Sequence, residues 1–390
     1  MKPKGGVQMK TTNMIDQKAG HPLREEKVKE SIKNSLRDLT GLVGVSGSEQ
    51  EVVKYMRDNL LPYADEVDVD RNGNVIAIKK GNAPGPKLMI SSHSDEVGFC
   101  VKNILPNGFI MFDKVGGVSD QLLLGRKVWV TTKKLPGIIG IKGGHMQTPE
   151  ESKRVKTTGE SYIDVGSSSR MEVEDMGIKV GDPIVFQSDF MEMVNKDLVC
   201  TKSVDNRIHC AILIELFKEL QGFEFAGTLY GVVTVQEEVG LLGAIMVGNA
   251  IEPDYAIVLD TIPAGDTPDI DTEISLPVYL GKGPACPIAD GVRGTMVFNH
   301  IHPKVREIIE EQAAKANVSL QMITLVGDAY TTDAASLTSA NKGIPVGVLS
   351  TPRRYSHSPV ELVNLNDAEG VLKIAKGIVL NNGGKDLGFI

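Results

Sequence analysis

The apolar run Leu229-Tyr230-Gly231-Val232-Val233-Thr234-Val235 ends, one residue on, in two adjacent carboxylates, Glu237 and Glu238. A run of this length and β-branched content reads as a buried strand. Carboxylates placed side by side where such a strand ends are costly unless a positive charge sits with them. Other short apolar stretches end in the same way. Residues 87–92 lead into His93-Ser94-Asp95, residues 255–259 into Asp260, and residues 345–350 precede His357, while Asp205 stands in Ser203-Val204-Asp205-Asn206-Arg207. In a mostly parallel sheet, functional groups gather at the carboxyl ends of strands, whatever their separation in sequence. The expected architecture is therefore α/β, a mixed, mostly parallel sheet sandwiched by helices, with these strand ends meeting in one crevice.

Two imidazoles, His93 and His357, and three carboxylates, Asp205, Glu238 and Asp260, suit a pair of zinc-like divalent ions. Two such ions are neutralised by three carboxylates and one bridging hydroxide. Glu237 is left over beside the water to be activated, where a general base is required. Asp95 reads as a carboxylate behind His93 that fixes its tautomer. Each residue also has an ordinary reading. The acidic pair suits a solvated surface, Asp205 or Asp260 a helix cap, and Asp95 or His357 a turn. Their conjunction in a chain with seven histidines favours a metal centre.

The ordered set His93-x-Asp95, Asp205-Asn206-Arg207, Gln236-Glu237-Glu238-Val239-Gly240, Asp260 and Arg354-Tyr355-Ser356-His357-Ser358-Pro359-Val360-Glu361 resembles the glutamyl aminopeptidase and cellulase-M-like family of dinuclear metallo-aminopeptidases. The resemblance covers about residues 40–366, including Gly281-Lys282-Gly283-Pro284 and Thr332-Asp333-Ala334. It implies a zinc-exopeptidase-like fold and two divalent ions per subunit, zinc first, with cobalt or manganese also suited. One ion would be held by Asp205, Glu238 and His357, the other by Asp205, His93 and Asp260. The implied reaction removes the N-terminal residue of short peptides, with Glu237 as base. The implied assembly is a homo-oligomer built from dimers, in several members a tetrahedral dodecamer. Related sequences have been labelled endoglucanases, but a metal-free glycosidase needs two carboxyls flanking the bond about 5 Å or more apart, which adjacent residues do not offer. A non-catalytic scaffold of the same fold is the third possibility, and the intact donor set argues against it.

A chain of 390 residues exceeds what one core usually serves, so two domains are expected. Its net charge of -8, without a basic block, argues against nucleic-acid or anionic-membrane partners. Cys100, Cys200, Cys210 and Cys286 are widely spaced, which indicates neither a disulfide framework nor a thiolate zinc site and fits a reducing cytoplasm. Residues 1–20 lack the apolar segment of a signal peptide and read as a flexible tail.

Amphipathic patterns predict helices over 24–39 and 49–60, the second with Ser48 as N-cap and Glu51 as its capping-box partner. A hairpin is expected around Asn72-Gly73. Asp205 lies 112 residues beyond His93, far more than a crossover connection needs. An inserted β-rich domain over 98–192 fills them, with strands at 128–132, 137–141, 162–166 and 183–187 and a helix at 169–176. By the resemblance this is a dimerisation domain, splitting the catalytic domain into 21–97 and 193–390. Residues 206–221 read as a helix with Asp205 at its N-terminal edge, and Gly240, Gly243 and Gly248 as positions of close packing of the next helix against the sheet. His145 is expected to be structural, and His21, His209, His300 and His302 have no assigned role.

Overall fold

The computed structural model describes residues 22–294, 297–328, 330–384 and 386–389. The expected tail, residues 1–20, and His21 lie outside the described residues.

Sequence that is apolar without alternation makes the centre of the sheet. The strand Tyr255–Pro263 is buried at every position but its last, as a strand covered on both faces must be. It pairs in parallel with Ala83–His93 on one side and Val346–Arg354 on the other, and Ala226–Thr234 extends this parallel centre beyond Ala83–His93. Pairing in one direction delivers the strand ends to one rim: His93 stands opposite Thr234, and Asp260 opposite Ser350.

Away from the centre the pairing is antiparallel except between Ala285–Val292 and Gln321–Asp328. Among the described residues the sheet has four parallel pairings and seven antiparallel ones. The sheet is therefore mixed, and the expectation of a mostly parallel one describes only its middle. The reason is connection length, since an antiparallel neighbour needs only a turn and a parallel one a crossover. The hairpin Glu66–Val69 to Val75–Lys80 is such a neighbour. Its turn spans residues 70–74 instead of the two residues expected, because the Asp70 carboxylate gathers the backbone N–H groups of Asn72, Gly73 and Asn74 at 2.8, 2.9 and 3.0 Å.

The helix Val204–Glu219 lies on Ala83–His93 and Tyr255–Pro263 and is itself covered by Pro22–Thr40 and Leu365–Leu380. A second helical group, Leu242–Ile251 with Asp333–Ser339, packs on Ala226–Thr234, Tyr255–Pro263 and Val346–Arg354. Gly243 and Gly248 mark close packing: a Cβ at Gly243 would meet the Val235 carbonyl oxygen at 2.4 Å, and one at Gly248 the Ala340 methyl at 2.9 Å. Gly240 does not, since a Cβ there would meet nothing nearer than Leu242 at 3.8 Å; it serves the turn, at φ +133. The helix Gln50–Leu60 buries Val52, Met56 and Leu60 along one face. Ser48 does not cap it. Glu49 holds that position without a side-chain cap bond, and Glu51 accepts instead from the Val43 N–H at 3.1 Å.

Between the strand ending at His93 and the helix carrying Asp205, the chain closes a six-stranded barrel. Its order is Gly98–Ile104, Ile110–Val115, Tyr162–Asp164, Leu135–Gly140, Lys127–Val130 and Pro183–Phe186. Four of these strands match the sequence pattern, whereas Gly98–Ile104 and Ile110–Val115 were not singled out by it. The helix Arg170–Asp175 starts at Ser169, whose hydroxyl accepts from the Glu172 N–H, and Gly177 follows it at φ +89. The barrel has its own core, in which Phe99 meets Phe112 and Phe186 edge to face, both at 5.2 Å. No helix among the described residues is long and apolar enough to cross a membrane.

One buried charge cluster ties these parts together. The Glu96 carboxylate receives Lys202 Nζ at 2.7 and 2.8 Å and lies 3.4 Å from Arg207 Nη2. Arg207, fully buried, also donates to the Leu39 carbonyl at 2.9 Å and the Gly44 carbonyl at 3.3 Å, and Lys202 to the Leu42 carbonyl at 3.1 Å. Two cations thus share one carboxylate away from water. Removing that charge leaves both uncompensated, so Glu96→Gln is expected to cost about 3–5 kcal/mol of stability. Urea unfolding of the variant measures it, and a loss under about 1 kcal/mol would contradict the electrostatic reading.

Candidate metal centre

Asp205 occupies a break at the start of its helix. Ser203 adopts left-handed backbone geometry, and Asp205 and Asn206 depart from helical φ/ψ, so the carboxylate points away from the helix and does not cap it. Its Oδ1 lies 3.2 Å from His93 Nε2, and its Oδ2 lies 3.4 Å from His357 Nε2. Asp260 Oδ1 is 3.6 Å from His93 Nε2, and Glu238 Oε2 is 3.4 Å from His357 Nε2. Two groups of potential ligands result, His93 with Asp205 and Asp260, and Asp205 with Glu238 and His357, each with its donor atoms within 4.8 Å of one another. A third such group joins His93 to Glu237 and Glu238, so proximity alone does not separate the two glutamates. The residues named from sequence for this chemistry all arrive at one place.

The backbone around them explains the precision. Glu237 and Glu238 follow Gln236, which turns the chain at φ +56. Their N–H groups both donate to Asp95, Glu237 to Oδ1 at 3.0 Å and Glu238 to Oδ2 at 3.1 Å. Ser46 donates its hydroxyl to Asp95 Oδ2 at 2.6 Å. Asp95 Oδ1 also lies 3.4 Å from His93 Nδ1, within ion-pair range but not aligned as a hydrogen bond. Asp95 therefore sets the position of the acidic pair as well as facing the histidine.

His357 stands in left-handed geometry at φ +55. Its N–H donates to Glu361 Oε1 at 2.7 Å, while Glu361 Oε2 accepts from the Asp205 N–H at 2.9 Å. One carboxylate thereby fixes two of the donor residues. The His357 ring approaches the Gly117 carbonyl, with Nδ1 at 3.2 Å. A Cβ on Gly117 would lie 3.0 Å from that nitrogen, so the barrel presents bare backbone to the site. Arg353 donates to Asp205 Oδ2 and, at 2.6 Å, to the Thr261 hydroxyl, and its Nε lies 3.6 Å from Glu361. Sequence reasoning gave no role to Arg353, Glu361, Ser46 or Gly117. Arg353 and Glu361 flank His357 in the chain, and that adjacency was the available signal.

The electrostatics are those of acids crowded out of water. Burial pushes Glu237 well above the ordinary carboxylate range, with Asp260 and Glu238 adding to the rise. Burial takes Glu238 to about 8 and also raises Asp260. Burial alone would depress His357, but Glu238 and Asp205 lift it to about 9. His93 behaves alike: burial disfavours its charge, and Glu237, Asp205 and Asp260 override it. Asp205 goes the other way, because Arg353 and both imidazoles outweigh its burial. Glu238 Oε1 is buried with no hydrogen-bond partner. Oxygen and nitrogen donors facing one another, with an orphaned carboxylate oxygen among them, fit divalent cations of the borderline class.

Among the described residues, the other histidines stay outside these groups. His209 is buried and neutral, bridging Asn206 and, at 2.8 Å, Thr351 Oγ1, with burial taking it to about 3. His302 N-caps the helix Pro303–Lys315, while His145 is exposed in the short turn Gly144–Met146. The donor oxygens of Glu237 and Glu238 fall within 4.8 Å of each other, closer than the separation a glycosidase pair needs to flank its bond.

Residues 73–374 match the family model described as M42 glutamyl aminopeptidase. A putative aminopeptidase of Acetivibrio thermocellus is 36% identical over 88% of this chain and 97% of its own length. The TET aminopeptidase of a marine-sediment Thaumarchaeota archaeon superposes with a TM-score of 0.85 at 35% identity, covering 94% of this chain and all of that one. The TET1 peptidase of Pyrococcus horikoshii, which assembles into a tetrahedron or a large octahedral shell, gives 0.77 at 30% identity over 90% of this chain and 99% of its own. With a crevice of paired donor groups, a mixed sheet and a match over most of its length, the chain belongs to the M42 glutamyl aminopeptidase family, hydrolases that use divalent metals.

Proposed function

We propose that this protein is a dinuclear metal-dependent aminopeptidase that releases the N-terminal residue of short peptides. One observation carries the reading: Asp205 belongs at once to two groups of three donors. In this reading His93, Asp205 and Asp260 hold one ion, and Asp205, Glu238 and His357 hold the other. Zinc suits both sites, and cobalt or manganese are accepted by the same mixed donor set. When bound, the ions would polarise the scissile carbonyl and acidify the attacking water.

The protein's own groups do the rest. Glu237 is the general base, taking a proton from the water and returning it to the leaving amine. Arg353 and Glu361 hold Asp205 and His357 in place from behind, and Asp95 fixes the backbone that carries Glu237.

The domain assignment belongs to the same reading. Residues 98–192 form a subunit-contact domain, while 21–97 and 193–390 form the catalytic one. The tetrahedron or octahedral shell of the Pyrococcus horikoshii relative and the dodecamer of a PhTET1 structure support a homo-oligomer, and exposed Met171 and Val180 on the barrel offer apolar contact surface. Four free cysteines support a reducing, cytoplasmic setting.

Replacing Glu237 by Gln is expected to lower kcat by about 10²–10⁴-fold while elemental analysis finds the metal content unchanged. Turnover near that of the parent protein would remove Glu237 from its role. Asp205→Asn is expected to abolish stable metal binding, because both donor groups lose their common member. Two full equivalents of metal in that variant would refute the shared ligand.

A further inference from the structure

The crevice has a second wall that the ligand groups do not use. Its volume is about 350 Å³; away from the donor residues its apolar lining is Leu241, Pro263, Val292, Val297 and Tyr330, and its uncharged polar lining is Thr261, Thr331 and Ser356. The Tyr330 hydroxyl is spent on the Thr261 carbonyl at 3.1 Å. The Val292 N–H donates to the Val297 carbonyl at 3.2 Å.

Charge is absent from this wall among the described residues. Arg353 is the one guanidinium or ammonium that lines the crevice there, and it is already enclosed by Asp205, Thr261 and Glu361. The lining carboxylates and imidazoles are those assigned to the ions and to proton transfer. A substrate carboxylate or ammonium reaching the apolar wall would lose its hydration without gaining a counter-charge, whereas an aliphatic or aromatic group would gain about 25 cal/mol for each Å² removed from water.

Resting on the aminopeptidase reading, we propose that this wall receives the side chain of the substrate's N-terminal residue and selects neutral apolar ones, such as Leu, Met or Phe, over Glu and Lys. Val292 and Val297 are its specificity-determining residues, because they line the crevice from a segment that supplies none of the donor groups. The selection is by exclusion of charge, so it tolerates variation in apolar shape: one methylene changes such discrimination far less than an unpaired charge does.

The test is a panel of aminoacyl p-nitroanilides on the metal-reconstituted full-length protein. Leu, Met and Phe reporters are expected to exceed Glu and Lys by about tenfold or more in kcat/KM. Val292→Asp is expected to raise Lys relative to Leu by a similar factor. Fastest turnover of Glu or Lys by the parent protein, or equal rates across the panel, would overturn the specificity while leaving the aminopeptidase reading intact. A Val292→Asp protein that is active with an unaltered preference would remove Val292 from the wall. No turnover of any reporter would sink both the aminopeptidase reading and this proposal.

Discussion

Glu96 draws Lys202 and Arg207 into the interior from either side of Asp205, and this buried cluster is what makes the centre possible. Burial depresses Lys202, and Glu96 opposes that loss of charge. Arg207 reaches the carbonyls of Leu39, in the last turn of the first helix, and of Gly44, just beyond it, while Glu96 lies three residues beyond His93 in the chain. The segment that carries the shared aspartate is thus pinned to the end of the strand that carries the first histidine. A surface pair could not impose this, since exposed ions gain little from meeting. Out of water, separating them is costly.

A second layer of fixed charge positions the remaining donors. Glu361 takes the N–H groups of both Asp205 and His357, and Asp95 takes those of Glu237 and Glu238. In each case a buried carboxylate accepts two backbone donors, so the side chains that face the crevice are held through their main chain. Such arrangement in advance is what a hydrolytic site requires, because orienting groups during the reaction would raise its barrier.

The barrel also takes part in the centre. It leaves the sheet just after Glu96, and the loop following its second strand brings the Gly117 carbonyl to the His357 ring. Close approach there depends on the absence of a side chain. A domain whose sequence reads only as a β-rich insertion therefore helps set the orientation of a residue more than two hundred positions away.

Much of this was legible in the chain. Mainly apolar runs without alternation, leading into His93, Glu237 and Asp260, are determined by local composition, as central strands covered on both faces need not alternate. The 112-residue interval before Asp205 announced an insertion for the same reason that crossovers are short. Other features were not legible. Strands Gly98–Ile104 and Ile110–Val115 were passed over, and the antiparallel flanks of the sheet depend on which edge a strand finds, which no local pattern records. Arg353, Glu361 and Ser46 were invisible as participants because a charged or hydroxyl group next to a motif looks the same whether it points to solvent or inward. The sequence by itself determined which chemical groups stand at the ends of which strands, since periodicity and residue type are local properties. Only the tertiary structure decided which of those groups share Asp205, what holds each one from behind, and that an apolar wall faces them, because those are distances between segments that meet only when the chain has folded.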